Sequence, residues 1–155
     1  HGHWMLLTLL KGSISPDPHA DREEHFFTYA LVPHLGDWCS DEGNIQAQAH
    51  YLNVLLQAYP TTNAPEKYSY IHCPANNVTL EAVKKAEDGE SVILRFVERE
   101  NQRTQTQLVF DRPLAQVVTC DLMENQEDVL EPRGNEVTIR FKPREILTLA
   151  ITFAE

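Results

Sequence analysis

Clustered positive charge is missing from this chain. Its 155 residues include 13 Lys and Arg against 23 Asp and Glu, which gives a formal net charge of −10. Binding to a phosphate backbone requires grouped Lys and Arg, so we expect no nucleic-acid partner. The chain also lacks any apolar run near the roughly 18 residues that span a bilayer, and it shows no secretory signal. We therefore expect no membrane partner.

Cysteine and glycine are also scarce. The three cysteines lie far apart and form no C-x-x-C pair for zinc or redox chemistry; they are Cys39, Cys73 and Cys120. We interpret them as reduced thiols, which favours a cytoplasmic location. The six glycines form no phosphate-binding loop. Asn77-Val78-Thr79 matches the N-glycosylation acceptor pattern, and we interpret the match as chance in a cytoplasmic protein.

Residues 76–155 show the period of two that is typical of strands. The clearest case is the stretch in which Val137, Ile139 and Phe141 alternate with polar neighbours. Turn signals lie near Gly89 and Gly134. Short strands separated by turns every roughly 8–12 residues predict an immunoglobulin-like antiparallel β-sandwich of about seven strands.

One short helix is predicted before this region, over about residues 45–56. Its apolar residues recur at helical spacing, which predicts packing of one face against the core; they are Ile45, Ala49, Leu52 and Leu56. Pro74 to Asn77 interrupts the pattern, so we place a domain boundary between residues 1–75 and 76–155. Residues 1–4 are interpreted as containing a tag remnant. The predicted fold class is mainly β, a β-sandwich architecture with one short helix.

A polar loop at residues 13–25 lies between two apolar runs of strand length, Met5–Leu10 and Phe26–Val32. Pro16 and Pro18 forbid a helix at the start of the loop. Strands that hold out a loop dense in charged and imidazole groups commonly present binding residues. An ordinary solvated connection is the alternative reading.

The same stretch carries a family resemblance. The run LTLLKGSISPDPHAD…EHFFTYALVPH…GDW resembles the C-terminal part of class II α-mannosidases, glycoside hydrolase family 38, in the branch of cytosolic, vacuolar and many bacterial enzymes. Lys11 replaces the usual Arg, and Glu23 or Glu24 falls near the usual Gly. The resemblance continues in order through residues 44–56, 83–88, 95–98 and 142–149.

The resemblance implies the C-terminal fragment of an enzyme that hydrolyses terminal α-D-mannosyl residues of oligosaccharides. Residues 1–75 would be the end of its central β-sandwich region, and residues 76–155 its small C-terminal sandwich. Catalysis in this family is retaining, needs zinc or another divalent metal, and takes place in an N-terminal α/β barrel. Because no stretch here alternates strands with helices in that way, we expect no catalytic residue, no metal ligand and no cofactor in this chain. We expect the fragment alone to be inactive and the N-terminal catalytic domain to be its partner.

By analogy with the family, the 13–25 loop supplies candidate contacts to a mannose-containing oligosaccharide, namely Asp17, Asp21, Arg22 and His25. Such side chains suit sugar hydroxyls, which both donate and accept hydrogen bonds. His19-Ala20-Asp21 imitates the His-x-Asp start of the family's metal motif, but it lies in a proline-rich loop, and we do not assign it a metal. Trp4 and Trp38 are candidates for stacking on a sugar face.

Two other functions stay open on the sequence alone. One is a free-standing carbohydrate-binding β-sandwich module. The other is a protein-interaction β domain. Whichever holds, a sheet separated from its neighbours exposes strand edges, so we also expect self-association of the chain through such edges.

Overall fold

The computed structural model describes residues 4–38, 45–52, 60, 62–63, 65, 67–87 and 89–154, without the side chains of residues 46 and 47. The chain divides into two compact units, His1–Leu31 and Val32–Glu155. The described part forms one helix, α1 (Ile45–Tyr51), and eight strands. The strands are β1 (Ile71–His72), β2 (Val78–Lys85), β3 (Val92–Glu98), β4 (Thr104–Phe110), β5 (Leu114–Cys120), β6 (Gln126–Leu130), β7 (Glu136–Phe141) and β8 (Ile146–Phe153).

These strands build two antiparallel sheets. One has the order β1-β4-β7, and the other has the order β2-β3-β8-β5-β6. In the first sheet, Leu108 pairs with Val137, and in the second, Leu94 pairs with Leu149. The prediction of a mainly β, antiparallel sandwich is confirmed, with β2 to β8 as the seven main strands and β1 as a short addition.

The core consists of side chains that alternate inward along each strand. β7 buries Val137, Ile139 and Phe141 and exposes Thr138 and Arg140, as its sequence predicts. The opposing sheet contributes residues such as Phe96, Val117 and Ile151 to one continuous cluster. Burial of each such apolar side chain contributes roughly 1.5–3 kcal/mol to the free energy of folding, so the packing of the two sheets against each other stabilises the domain.

Two predicted turns reverse the chain where glycine allows a left-handed backbone. Gly89 lies between β2 and β3 with a φ of 82°, and Gly134 lies between β6 and β7 with a φ of 65°. Other residues adopt this region only at a cost. A smaller buried cluster lies apart from the main core and comprises Ala86, Ile93, Cys120 and Ala150.

The predicted strands Met5–Leu10 and Phe26–Val32 are wrong, because neither run is a strand in the structure. Their apolar side chains are exposed, with Leu6 at 90% and Phe26 at 86%. A strand is stable only when neighbouring strands satisfy its backbone groups, and an isolated pair is marginal. The assignment of residues 1–75 to a separate β-sandwich region, with a boundary near residue 75, stays a prediction.

The predicted helix is confirmed, and α1 spans Ile45–Tyr51. Residues 53–59, which include most of the rest of the predicted helix, lie outside the described part. The predicted packing of its apolar face holds only in part among the residues that can be judged. Ile45 is partly buried, whereas Ala49 is exposed and Leu52 is 54% exposed; Leu56 lies outside the described residues. His50, beside the stripe, is also partly buried. The helix therefore buries a polar side chain as well as part of its apolar face.

Candidate functional site

The first half of the 13–25 loop is shaped by Asp17. A carboxylate oxygen of Asp17 accepts a hydrogen bond from the backbone nitrogen of His19 at 2.8 Å, and the Asp17 carbonyl accepts one from Ala20 at 3.3 Å. Such turns are a common use of aspartate. The imidazole of His19 lies 3.8 Å from the same carboxylate, and both side chains are largely exposed. Asp17 therefore organises the turn while its side chain stays largely exposed.

The second half of the loop brings His25 back to Asp21. The Nε2 atom of His25 lies 3.0 Å from the backbone carbonyl of Asp21, and the ring of His25 stacks with Phe27 at a centroid distance of 6.1 Å. Asp21 itself has a φ of 56°, a left-handed conformation that Asp tolerates better than most residues. The contact uses the backbone of Asp21, so its carboxylate is left for another partner.

Arg22 is exposed, and within the described residues its guanidinium makes no hydrogen bond or ion pair. The structure thus joins His25 to Asp21 and joins Asp17 to its own turn, but it does not bring the four candidates into one contact cluster. What they share is an exposed loop with two carboxylates, a guanidinium and an imidazole. Such a set can donate to and accept from sugar hydroxyls.

The tryptophans differ in their surroundings. Trp4 is 83% exposed, whereas Trp38 is 49% exposed and lies under the guanidinium of Arg144 at 5.7 Å from the ring centroid. That distance is within the range of a cation–π contact. One face of Trp38 is therefore already taken by Arg144.

A buried carboxylate, which the sequence analysis missed, joins three loops at one end of the sandwich. Glu98 has no exposed surface and accepts four hydrogen bonds: from the side chain of Asn77 at 2.9 Å and from the backbone nitrogens of Glu100, Gln102 and Arg144 at 2.7, 3.1 and 2.8 Å. Burial raises the pKa of Glu98, but these hydrogen bonds outweigh it and hold the pKa below its usual range. Glu98 follows Leu94 and Phe96 at a spacing of two, so the strand alternation itself signalled an inward-facing carboxylate.

Asn77, the first residue of the glycosylation pattern, is occupied by this network. Its side-chain nitrogen donates to Glu98 and also to the hydroxyl of Thr104 at 2.6 Å. Thr79, the third residue of the pattern, is buried. The pattern in the folded domain is therefore part of the packing, in line with its interpretation as a chance match.

A second polar cluster joins α1 to the sandwich. Glu81 accepts hydrogen bonds from the Thr79 hydroxyl at 2.7 Å and from the Arg99 guanidinium, and its other oxygen lies 3.4 Å from Nε2 of His50. The Nδ1 atom of His50 lies 3.1 Å from Arg99. Burial raises the pKa of Glu81, but the hydrogen bonds from Thr79 and Arg99 and the nearby positive charge outweigh it and lower the pKa.

A third group, also missed, lies at the other end of β3 and β4. The phenol of Tyr68 donates to the carboxylate of Asp111 at 2.9 Å, and the ring of Tyr68 meets that of Tyr70 edge-on at 4.9 Å. The hydrogen bond to Asp111 is the main cause that raises the pKa of Tyr68. In the sequence, this group appears only as two tyrosines, Tyr68 and Tyr70, just before β1. Tyrosine is common in strands, so propensity alone would assign both to the strand and would not indicate the contact with Asp111.

Cys73 and Cys120 are free thiols, and burial raises the pKa of Cys120; Cys39 lies outside the described residues. Within the described part, no group of three or more His, Cys, Asp or Glu side chains could hold a metal ion. The same part contains no helix that is long and apolar enough to cross a membrane.

The chain is similar in sequence to known proteins. Residues 77–149 match the family described as "Glycosyl hydrolases family 38 C-terminal beta sandwich domain". The chain is 35% identical over 159 residues to Alpha-mannosidase 2C1 of Homo sapiens and 30% identical over 157 residues to its Mus musculus counterpart; each alignment covers 97% of this chain and 15% of the relative. It is 28% identical to Alpha-mannosidase G of Dictyostelium discoideum, over 92% of this chain and 14% of that protein. The chain thus spans about 15% of the length of these curated relatives.

Proposed function

We propose that the chain is the non-catalytic C-terminal part of an α-mannosidase of glycosyl hydrolase family 38, since residues 77–149 match that family's C-terminal β-sandwich domain. The single observation that carries this proposal is the 35% identity to Alpha-mannosidase 2C1 over 97% of the chain. The whole enzyme would hydrolyse terminal α-D-mannosyl residues of oligosaccharides with retention. Its nucleophile and its zinc or other divalent metal would lie in an N-terminal barrel domain outside this chain, and that domain would be the partner of this fragment.

Within that enzyme, the loop at 13–25 would contact the mannose-containing substrate. Asp17, Asp21, Arg22 and His25 would make these contacts. The exposure of all four residues supports this role, as does the absence of any hydrogen bond or ion pair to the Arg22 guanidinium from the described residues. An exposed guanidinium with its donors unused can bind a sugar hydroxyl without first breaking an internal bond.

The proposed location is the cytoplasm. Cys73 and Cys120 are free in the structure, and unpaired thiols of this kind are usual where glutathione and thioredoxin keep cysteine reduced. Fractionation of cells that express the full-length protein tests this location. Recovery in the secreted or membrane fraction would contradict it.

The activity is tested by measuring release of an aryl leaving group from an aryl α-mannoside in the presence of zinc. We expect turnover by the full-length enzyme and none by residues 1–155. Arg22→Ala in the full-length enzyme is expected to raise KM for a mannose oligosaccharide roughly three- to tenfold, which corresponds to about 1 kcal/mol, the typical net contribution of one hydrogen bond. Arg133→Ala, which removes an exposed guanidinium on the sandwich, is the control.

Two results would contradict the proposal. Substantial turnover by residues 1–155 alone would mean that the catalytic groups lie in this chain. An unchanged KM in Arg22→Ala, with kcat also unchanged, would remove the loop from the substrate site and leave the family assignment intact.

A further inference from the structure

A cavity of about 290 Å³ opens beside the ends of β4 and β8, away from the loop at 13–25 in the sequence. Its walls are mainly aromatic and aliphatic, with Tyr70, Val92, Phe110 and Phe153 among the lining residues. The rings of Phe110 and Phe153 pack edge to face, with their centroids 6.0 Å apart. Small-molecule sites are typically apolar cavities of this kind with a few well-placed polar groups.

Two exposed tyrosines contact each other here: Tyr70 lines the cavity, and the ring of Tyr68 meets that of Tyr70. Tyr68 is 60% exposed and Tyr70 is 63% exposed, and their rings are nearly perpendicular, with an interplanar angle of 79°. The backbone carbonyl of Tyr70 accepts a hydrogen bond from the nitrogen of Asp111 at 3.0 Å, so the position of Tyr70 does not depend on its side chain. The two phenol rings are rigid surfaces held ready for contact with a flat apolar face.

The polar groups at this cavity form a matched pair. The side chain of Asp111 is 12% exposed; one of its oxygens accepts the Tyr68 phenol, and the other lies 3.5 Å from Nε of Arg112. Arg112 lies over the ring of Phe153 at 5.0 Å, with its side chain 55% exposed. Each carboxylate oxygen retains a further lone pair, and the guanidinium retains further donors. The pair carries no net charge.

We propose that this cavity is a glycan-binding site that holds one sugar unit of a neutral oligosaccharide. The apolar face of the sugar ring stacks on Tyr70, one hydroxyl donates to Asp111, and another accepts from Arg112. The zero net charge disfavours a phosphate or a carboxylate ligand. The volume lies at the lower limit of the roughly 300–1,000 Å³ of drug-sized ligand sites, which suits one monosaccharide unit. The identity of that sugar as mannose rests on the proposed function.

The test is a titration of the 155-residue chain with an α-linked mannotriose, followed through backbone amide shifts in NMR. We expect the shifts to concentrate at Tyr70, Asp111 and Arg112. Tyr70→Ala should weaken binding roughly three- to tenfold, the effect of one lost stacking contact. Tyr29→Ala removes another exposed tyrosine, at 63% exposure, and should leave the affinity unchanged.

Tyr68→Phe and Asp111→Asn separate stacking from hydrogen bonding. Tyr68→Phe keeps the ring and removes only the donor to Asp111, so we expect a smaller loss than in Tyr70→Ala. Asp111→Asn keeps the shape and should weaken binding by at least threefold. Amide shifts elsewhere in the sandwich report whether each variant is folded.

The inference is overturned if mannotriose produces no shifts, if the shifts fall in the loop at 13–25 alone, or if Tyr70→Ala binds as tightly as the parent chain. These outcomes are distinguishable from failure of the proposed function. Aryl α-mannoside turnover by the full-length enzyme would persist if only this site were wrong. Binding by the chain would persist if only the catalytic assignment were wrong.

Discussion

The side-chain nitrogen of Asn77 lies 2.9 Å from the buried carboxylate of Glu98, and this contact joins the start of β2 to the end of β3. The same carboxylate holds the backbone nitrogen of Arg144, in the turn before β8. One anion thus ties together loops that are distant in sequence. Because its partners are backbone nitrogens and a neutral amide, the negative charge is stabilised by hydrogen bonds without a buried cation.

Replacing Glu98 with Gln is expected to lower the free energy of unfolding by about 2–3 kcal/mol. The substitution keeps the shape but converts one acceptor oxygen into a donor that faces donors, so buried nitrogens lose their partner. Urea unfolding followed by circular dichroism measures the change. Glu127→Gln, on the exposed surface of β6, is the control and should lie within about 0.5 kcal/mol of the parent. Equal stability of both variants would show that the buried network contributes little.

The same carboxylate predicts a loss of stability in acid. The pKa of Glu98 is lower in the folded state than the roughly 4.3 of an unfolded chain, so its contribution is complete above about pH 4.3 and is lost as the pH falls through the folded-state pKa. The difference in unfolding free energy between the parent and Glu98→Gln should therefore shrink below pH 4.3. Urea midpoints measured from pH 7 to pH 3 test this. A difference that stays constant over that range would contradict it.

Removing the guanidinium of Arg99 is expected to raise the pKa of Glu81. In Arg99→Met the partial burial of Glu81 remains, but a hydrogen bond and a neighbouring positive charge are lost, and both of these lower the pKa. Titration of the Glu81 carboxyl carbon by NMR measures the shift. Arg103→Met removes another exposed arginine, on the same stretch of chain as Arg99, and should leave the Glu81 pKa unchanged. A Glu81 pKa that stays the same or falls in Arg99→Met would show that Arg99 does not account for the lowering.

The apolar side chains of residues 4–31 predict self-association of the chain. Trp4, Met5, Leu6, Phe26 and Leu31 are each more than 70% exposed. Large amounts of exposed apolar surface mark an interaction site or an aggregation risk. We expect light scattering to show a mass that rises with concentration for residues 1–155. Residues 32–155, which contain both sheets, should remain monomeric. A monodisperse monomer for the 155-residue chain would contradict this prediction.

The interior of the sandwich was predictable because strand alternation is a local property. The alternation of apolar and polar residues from Val137 to Phe141 indicates which side chains point inward. Gly89 and Gly134 mark where the chain reverses. Periodicity cannot give the order of strands, because that order depends on pairs far apart in the sequence, such as β3 with β8.

The candidate sites were less predictable, for a related reason. Asp17, Asp21, Arg22 and His25 were found because they lie together in one loop and carry a family resemblance. Tyr68 and Asp111 are 43 residues apart, and only the pairing of β1 with β4 brings them together. The apolar runs at 5–10 and 26–32 show the opposite kind of error. Their sequence pattern predicts strands, but a strand does not form without neighbouring strands to pair with.

The sequence by itself thus determined the family resemblance, the fold class, the strand faces and the composition of the loop at 13–25, because each follows from residues close together in the chain. The tertiary structure alone decided the sheet order, the burial of Glu98 among loop nitrogens, the attachment of His50 to Glu81 and Arg99, and the cavity beside Tyr70. Each of these depends on contacts between residues far apart in sequence, and such contacts stabilise the protein only once the two sheets have packed together.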